Sequence, residues 1–242
     1  MNTLNDLNDL RPWLADLTAA YPEDILFGLA DLSGLLPGEL AAWPRCVSLA
    51  VRMPDDIMDS VRAGPTMPYC DEYLRVNALI NELETRVAER IAECGFAVHP
   101  IPASDTRDPV RFLGEFQHKT GAVRSGLGWI GRNCQLVTRA FGPRVRLGTV
   151  LTDMPLSGPS AAITRSYCGD CRDCVDACPA HALSGATWTP GLARERLFTP
   201  TLCMDWKNEN FPHIPRSICG ICTSACPMGS ARERKSRRKG KG

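Results

Sequence analysis

The chain of 242 residues is 44% hydrophobic and 23% charged with a formal net charge of +1, which describes a globular protein of one large domain or two smaller ones. No apolar run approaches the roughly 18 residues of a membrane span, and the start MNTLNDLNDLRPW lacks the basic and then apolar pattern of a signal peptide. The expected compartment is the cytoplasm, where clustered thiols stay reduced and point to metal rather than disulfides.

In chain order, TLNDLNDLRPWLADL reads as a short amphipathic helix, and RCVSLAVRM, 45–53, as a strand. From Asp71 to Cys94, Leu79, Leu83, Val87 and Ile91 recur every four residues beside Ile80, which predicts a long amphipathic helix stopped by Gly95. FAVHPIP follows as a strand, HKTGAVRS as a weak helix, and CQLVT and VRLGTVLT as two strands joined by a turn at FGPR. Strands and helices are interspersed without a βαβ rhythm, so the fold class is α+β.

Between the weak helix and those strands, SGLGWIGRN carries Gly126, Gly128 and Gly131 in the spacing G-x-G-x-x-G. A dinucleotide site needs a strand before the glycines and a helix after them; here the order is reversed, so that reading is rejected. The remaining readings are a tight turn packed by Trp129, or a loop whose backbone approaches a planar or phosphate-bearing ligand.

The last third is dominated by cysteine. Cys168, Cys171, Cys174 and Cys178 form C-x2-C-x2-C-x3-C followed by Pro179, and Cys219, Cys222 and Cys226 form C-x2-C-x3-C followed by Pro227. Cys203 supplies the thiol that the shorter run lacks. Three thiolates in a tight loop wrap one cluster while the fourth, three residues on, reaches the other. This assigns Cys168, Cys171, Cys174 and Cys226 to one [4Fe–4S] cluster, and Cys178, Cys203, Cys219 and Cys222 to a second. Zinc ribbons use two separated C-x2-C pairs, a different pattern. The stretch 156–230 is poor in large apolar residues, so the clusters are expected to serve as its core. His181 is expected to be an exposed helix residue, because eight cysteines leave no vacancy, and Cys46, Cys70, Cys94 and Cys134 to be small buried residues. The expected organisation is an α+β cofactor or substrate domain over 1–155, a dicluster domain over 156–230 and a basic disordered tail over 231–242. That tail holds a net +6 and leaves −5 for the rest; contact with nucleic acid is its alternative role.

Taken together, GLGWIGRN, RLGTVLTD, the four-cysteine run, LCMDW and CGICTSACP resemble the epoxyqueuosine reductase family and, more distantly, reductive dehalogenases, over roughly residues 45–230. The resemblance implies a nitroreductase-like α+β domain followed by a ferredoxin-like domain with two [4Fe–4S] clusters in the partition above. It implies a corrinoid (cobalamin) in the first domain, with Gly126, Gly128, Trp129 and Gly131 near it and Tyr73 as a candidate ligand contact, helix-start packing being the alternative. The family places a proton-donating aspartate ahead of the GLGW run; the corresponding GEFQHKTGAVRS has none and offers Glu115, with His118 and Lys119 as candidate catalytic residues. The family's C-terminal helical-repeat region, which helps hold tRNA, has no counterpart in this sequence, which weakens the implication of a tRNA substrate. Two functions are therefore expected. One is a cluster-fed, corrinoid-dependent reductase of a small or nucleoside-like substrate, supplied by a ferredoxin- or flavodoxin-type donor. The other is an electron-transfer or activating protein for a partner, with no substrate of its own.

Overall fold

The computed structural model describes residues 9–230, so the basic tail lies outside the described residues. Two compact units emerge, interleaved along the chain. The first takes the described residues up to 52 together with 76–127 and 146–163; the second takes 53–75, 128–145 and the described residues from 164 onward.

The first unit is built on a four-stranded sheet in the order β1-β2-β6-β3, with β1 at Ile25–Asp31, β2 at Arg45–Arg52, β3 at Val98–Ile101 and β6 at Val145–Thr152. β1 runs antiparallel to β2, and β3 antiparallel to β6. β2 is buried along almost its whole length, as a strand paired on both sides and covered on both faces must be. β3 is an edge strand, which is why it tolerates Pro100 opposite Val150: the missing N–H faces no ladder partner. Helix α1, Arg11–Ala19, lies against β1, and α4, His118–Arg124, lies against β1 and β2. The long helix α3, Met67–Glu93, buries Val76, Leu79, Ile80, Leu83, Val87 and Ile91, the stripe expected from the four-residue repeat. It ends where expected, with Gly95 at φ +87 and its N–H bonded back to Ala92 O.

The second unit holds a short helix α2, Asp55–Ser60, and a two-stranded antiparallel hairpin of β4, Gly128–Ile130, and β5, Leu136–Thr138. It also holds three helices in the cysteine region: α5, Asp173–Asp176; α6, Pro200–Asn210; and α7, Ile221–Ala225. Arg144, 1% exposed, anchors α2 by ion pairs of 3.2 Å to Asp55 and 2.8 Å to Asp59. Among the described residues, no helix is long and apolar enough to cross a membrane.

The class is α+β, as the sequence indicates. Two local expectations change. CQLVT and VRLGTVLT do form strands, but they lie in different sheets: three-residue β5 pairs with β4, while eight-residue β6 lies between β2 and β3. His181 is exposed, but it sits at φ +49 in a turn after α5, a conformation no helix residue adopts. Strand β1, ILFGLAD, carries no alternation of apolar and polar residues that would have revealed it.

Candidate metal centre

In the second unit, Cys168, Cys171, Cys174 and Cys226 line one cavity of about 110 Å³, together with Arg132, Asn133, Val137, Tyr167, Pro227 and Met228. Cys226 lies far along the chain from the other three, so only the fold brings them together. Locally, Gly169 at φ +54 turns the chain after Cys168, and Cys171 N–H bonds Cys168 O. α5 then carries Cys174 into the interior. On the other side, the turn after β5 meets the segment that follows Cys226. A Cβ on Gly142 would overlap Met228 O, and one on Gly229 would overlap Phe141. Both glycines have positive φ, so this backbone-on-backbone crossing needs glycine twice over.

The other four cysteines form a second group. Cys178 is 8% exposed and packs with Ala182, Leu183, Phe198, Cys203 and Cys222. Cys203 rides on α6, Cys222 on α7, and Cys219 stands just ahead of α7. Among the described residues, no three His, Cys, Asp or Glu side chains converge as the ligands of a single metal ion do. The first four thiols line a common cavity, and four thiols are the donor set that a [4Fe–4S] cluster would take.

The thiols influence one another along the same division. Burial first, then Cys168 and Cys171, push the Cys174 thiol up to about 11. Burial pushes Cys226 up to about 12, with Cys174, Cys168 and Cys171 adding to it and a hydrogen bond from Met228 N–H opposing. In the second group, burial and then Cys219 and Cys178 push Cys203 up to about 12. Burial also raises Cys219, against a hydrogen bond from Ile221 N–H and with help from Cys178. Cys222 is raised by burial first, then by Cys219, Cys203, Cys174 and Cys178, partners drawn from both groups. Cys174, Cys226, Cys203, Cys219 and Cys222 thus resist ionising, so a metal held by them as thiolates would have to bring compensating charge as the protons leave. Two sets of four thiols are the donors that two [4Fe–4S] clusters would take.

The glycine-rich stretch supplies the wall of the first cavity. β4 and β5 are joined by Gly131–Gln135: Cys134 N–H bonds Gly131 O, Gly131 N–H bonds Gln135 O, and Cys134 takes φ +57. This is the three-residue hairpin loop that ends in a left-handed residue. It presents Arg132 and Asn133 to the cavity. A Cβ on Gly131 would come within 2.7 Å of Asn133 Oδ1 and 2.7 Å of Val137 Cγ2, so glycine there makes room for the Asn133 side chain. The glycines thus open an antiparallel hairpin rather than a strand-to-helix turn. Trp129 is 1% exposed and meets Tyr167 edge-on at 5.3 Å, so its face is covered by protein. Sequence reasoning did not single out Arg132, Asn133 or Tyr167; the adjacency of Tyr167 to Cys168 was the available signal.

The remaining candidates are separated. Tyr73 is half-buried on α3 in the second unit, and Gly126 belongs to the first. His118 and Lys119 open α4 in the first unit, both half-buried. His118 Nε2 lies 3.1 Å from Pro102 O, which only accepts, so Nε2 carries the proton and Nδ1 accepts from Thr149 Oγ1 at 2.9 Å. Burial first, helped by the charge on Arg146 and opposed by the bond to Pro102 O, holds His118 down at about 4, a neutral imidazole at pH 7. Thr149 N–H in turn donates to Glu84 at 2.6 Å, and burial raises Glu84 to about 8. Of the scattered cysteines, Cys46, Cys70 and Cys134 are buried and Cys94 is half-buried.

No family model matches the chain. Among curated proteins, the epoxyqueuosine reductase of Atelocyanobacterium thalassa is 33% identical over 121 residues, 47% of this chain and 38% of that protein. The tetrachloroethene reductive dehalogenase of Desulfitobacterium hafniense is 48% identical over 65 residues, 26% of this chain and 12% of that protein. The chain therefore spans well under half the length of these relatives. Among solved structures, a reductive dehalogenase described for B12-dependent dehalogenation matches with a TM-score of 0.66 at 17% identity, over 89% of this chain and 31% of that one. An epoxyqueuosine reductase bound to an epoxyqueuosine-modified tRNA-Tyr stem loop matches with a TM-score of 0.57 at 19% identity, over 91% of this chain and 65% of that one. The chain resembles both families in sequence, and the structural likeness establishes a shared α+β fold.

Proposed function

We propose that the chain is an iron–sulfur oxidoreductase that passes electrons through two [4Fe–4S] clusters to a corrinoid, in the manner of an epoxyqueuosine reductase. The observation that carries this reading is the cavity that gathers Cys168, Cys171, Cys174 and Cys226 from two distant motifs. Those four would hold one cluster, and Cys178, Cys203, Cys219 and Cys222 the other. Each cluster supplies one-electron chemistry when bound. The residues of the chain do the rest: short turns fix the thiols, burial excludes water, and α7 with the residue after it carries one ligand of each group, Cys222 and Cys226. One short segment would thus hold a ligand of each cluster, and a ferredoxin- or flavodoxin-type protein would be the electron donor.

The corrinoid rests on likeness to a dehalogenase described for B12-dependent chemistry. Gly128, Trp129 and Gly131 are engaged in the hairpin that walls the cysteine cavity and offer no open cradle, so no corrinoid contact is assigned to them. A nucleoside-like substrate is the corresponding proposal from the relative solved with a modified tRNA stem loop. One observation favours a second reading, an electron-transfer protein that reduces a partner and has no substrate of its own: His118 is neutral at pH 7, with both ring nitrogens engaged.

Anaerobic reconstitution tests the proposal. The expected product is brown protein with about eight irons per chain, which on adding cobalamin shows a bound, base-off Co(II) EPR signal. Colourless protein carrying zinc refutes the clusters. Full iron without corrinoid binding refutes the corrinoid and leaves the electron-transfer reading.

A further inference from the structure

The cavity lined by the first four cysteines is also lined by polar groups that the fold leaves unanswered. Asn133 is 2% exposed. Its Oδ1 accepts the Gln135 N–H at 3.1 Å, which fixes the orientation of the amide, because the opposite orientation would set donor against donor. Its Nδ2 is then buried with no protein partner. Arg132 is held by two backbone carbonyls, Gly169 O at 2.7 Å and Gly185 O, both in the cysteine-bearing segment. Its Nε is likewise buried without a partner. A buried N–H donor left unpaired costs about 1–3 kcal/mol, and both residues line this cavity, so an acceptor held within it is the available partner. Thiolate and sulfide sulfurs are such acceptors, and they carry the negative charge that a guanidinium and an amide N–H stabilise.

We infer that Asn133 Nδ2 and the Arg132 guanidinium donate hydrogen bonds to the sulfurs of the cluster held by Cys168, Cys171, Cys174 and Cys226, and so raise its reduction potential. This rests on the reading that those cysteines hold a cluster. The step affected is addition of one electron from the donor to that cluster, with no bond made or broken and no proton transferred. The reduced cluster bears one more negative charge, so donors aimed at its sulfurs favour it over the oxidised form. Arg132 also grips Gly169 O and Gly185 O, and thereby positions the loop that carries Cys168 and Cys171.

The test is an EPR-monitored potentiometric titration with dithionite of reconstituted wild type, Asn133→Leu, Asn133→Asp and Arg132→Lys. The two cluster signals are assigned beforehand with Cys171→Ser and Cys203→Ser. Asn133→Leu removes the donor without adding charge; Asn133→Asp keeps the Oδ1 acceptor that Gln135 uses. Both are expected to shift electron sharing between the clusters at least about tenfold away from the first, about 59 mV for a one-electron couple, with the second unmoved. Arg132→Lys keeps the charge and is expected to shift it less. Pulsed EPR of the reduced first cluster should show a strongly coupled exchangeable proton that both Asn133 variants lack. Unmoved potentials at full iron, equal shifts in both clusters, or loss of the first cluster in both Asn133 variants would overturn the inference and leave the hairpin as architecture. A wild type without eight irons would instead overturn the cluster reading itself.

Discussion

Cys226→Ser separates proximity in the chain from proximity in space. Cys226 is four residues from Cys222 but 52 from its nearest partner in the cavity, Cys174. A sequence-local site would group it with Cys222; the structure groups it with Cys168, Cys171 and Cys174. Its loss leaves three thiolates at one cluster and four at the other. Iron should fall from about eight per chain to about four, or to about seven where a three-iron cluster survives. The surviving intact cluster should be spectroscopically the one left by Cys171→Ser and different from the one left by Cys222→Ser. Iron and sulfide content with EPR and Mössbauer spectra on the three variants provides the assay. If Cys226→Ser and Cys222→Ser retain the same cluster, the exchange of ligands between the two motifs is wrong. Cys203→Ser supplies the converse check: it should leave the cavity cluster intact.

Two predictions concern the frame around this site. Arg144→Met strips Asp55 and Asp59 of their buried partner and frees α2; because both carboxylates reach solvent and Asp59 keeps Arg62, the loss should be about 1–3 kcal/mol, read as a shift in the denaturant midpoint. Stability should also vary with pH through the Glu84–Thr149–His118 arrangement. Glu84 is raised from 4.5 to about 8, so its contribution is full below pH 4.5 and is lost as pH rises toward 8. His118 is lowered from 6.5 to about 4, so its contribution is full above pH 6.5 and is lost as pH falls toward 4. By these shifts Glu84 is worth up to about 5 kcal/mol and His118 up to about 3 kcal/mol. Urea titrations should find Glu84→Gln gaining on the wild type between pH 5 and pH 8; a constant difference across that interval would refute the assignment.

How much of this was written in the residues depends on the range of the signal. The long helix was legible because a four-residue repeat is local, and Gly95 ended it for a local reason, its positive φ. The two cysteine motifs stand out by their spacing alone. What the sequence hid was the placement of the glycine-rich hairpin beside them. SGLGWIGRN leaves both a tight turn packed by Trp129 and a ligand loop open, because glycines and a tryptophan in series carry no mark of what they face. In the fold, Gly131 makes room for Asn133, Trp129 is covered, and the hairpin belongs to the unit that holds the cysteines. The turn after β5 is tied to the Cys226 segment by the Gly142–Gly229 crossing, a contact between residues 87 apart that no periodicity can announce. His118 shows the same limit: an imidazole ahead of the expected motif is a candidate for proton transfer, and only the fold supplies Pro102 O and Thr149 Oγ1, both distant in sequence, as partners of its two nitrogens. A side chain's chemistry is thus decided by partners that arrive only on folding: after burial, the Cys226 thiol is raised by Cys174, Cys168 and Cys171, more than fifty residues away, and not by Cys222, four residues away.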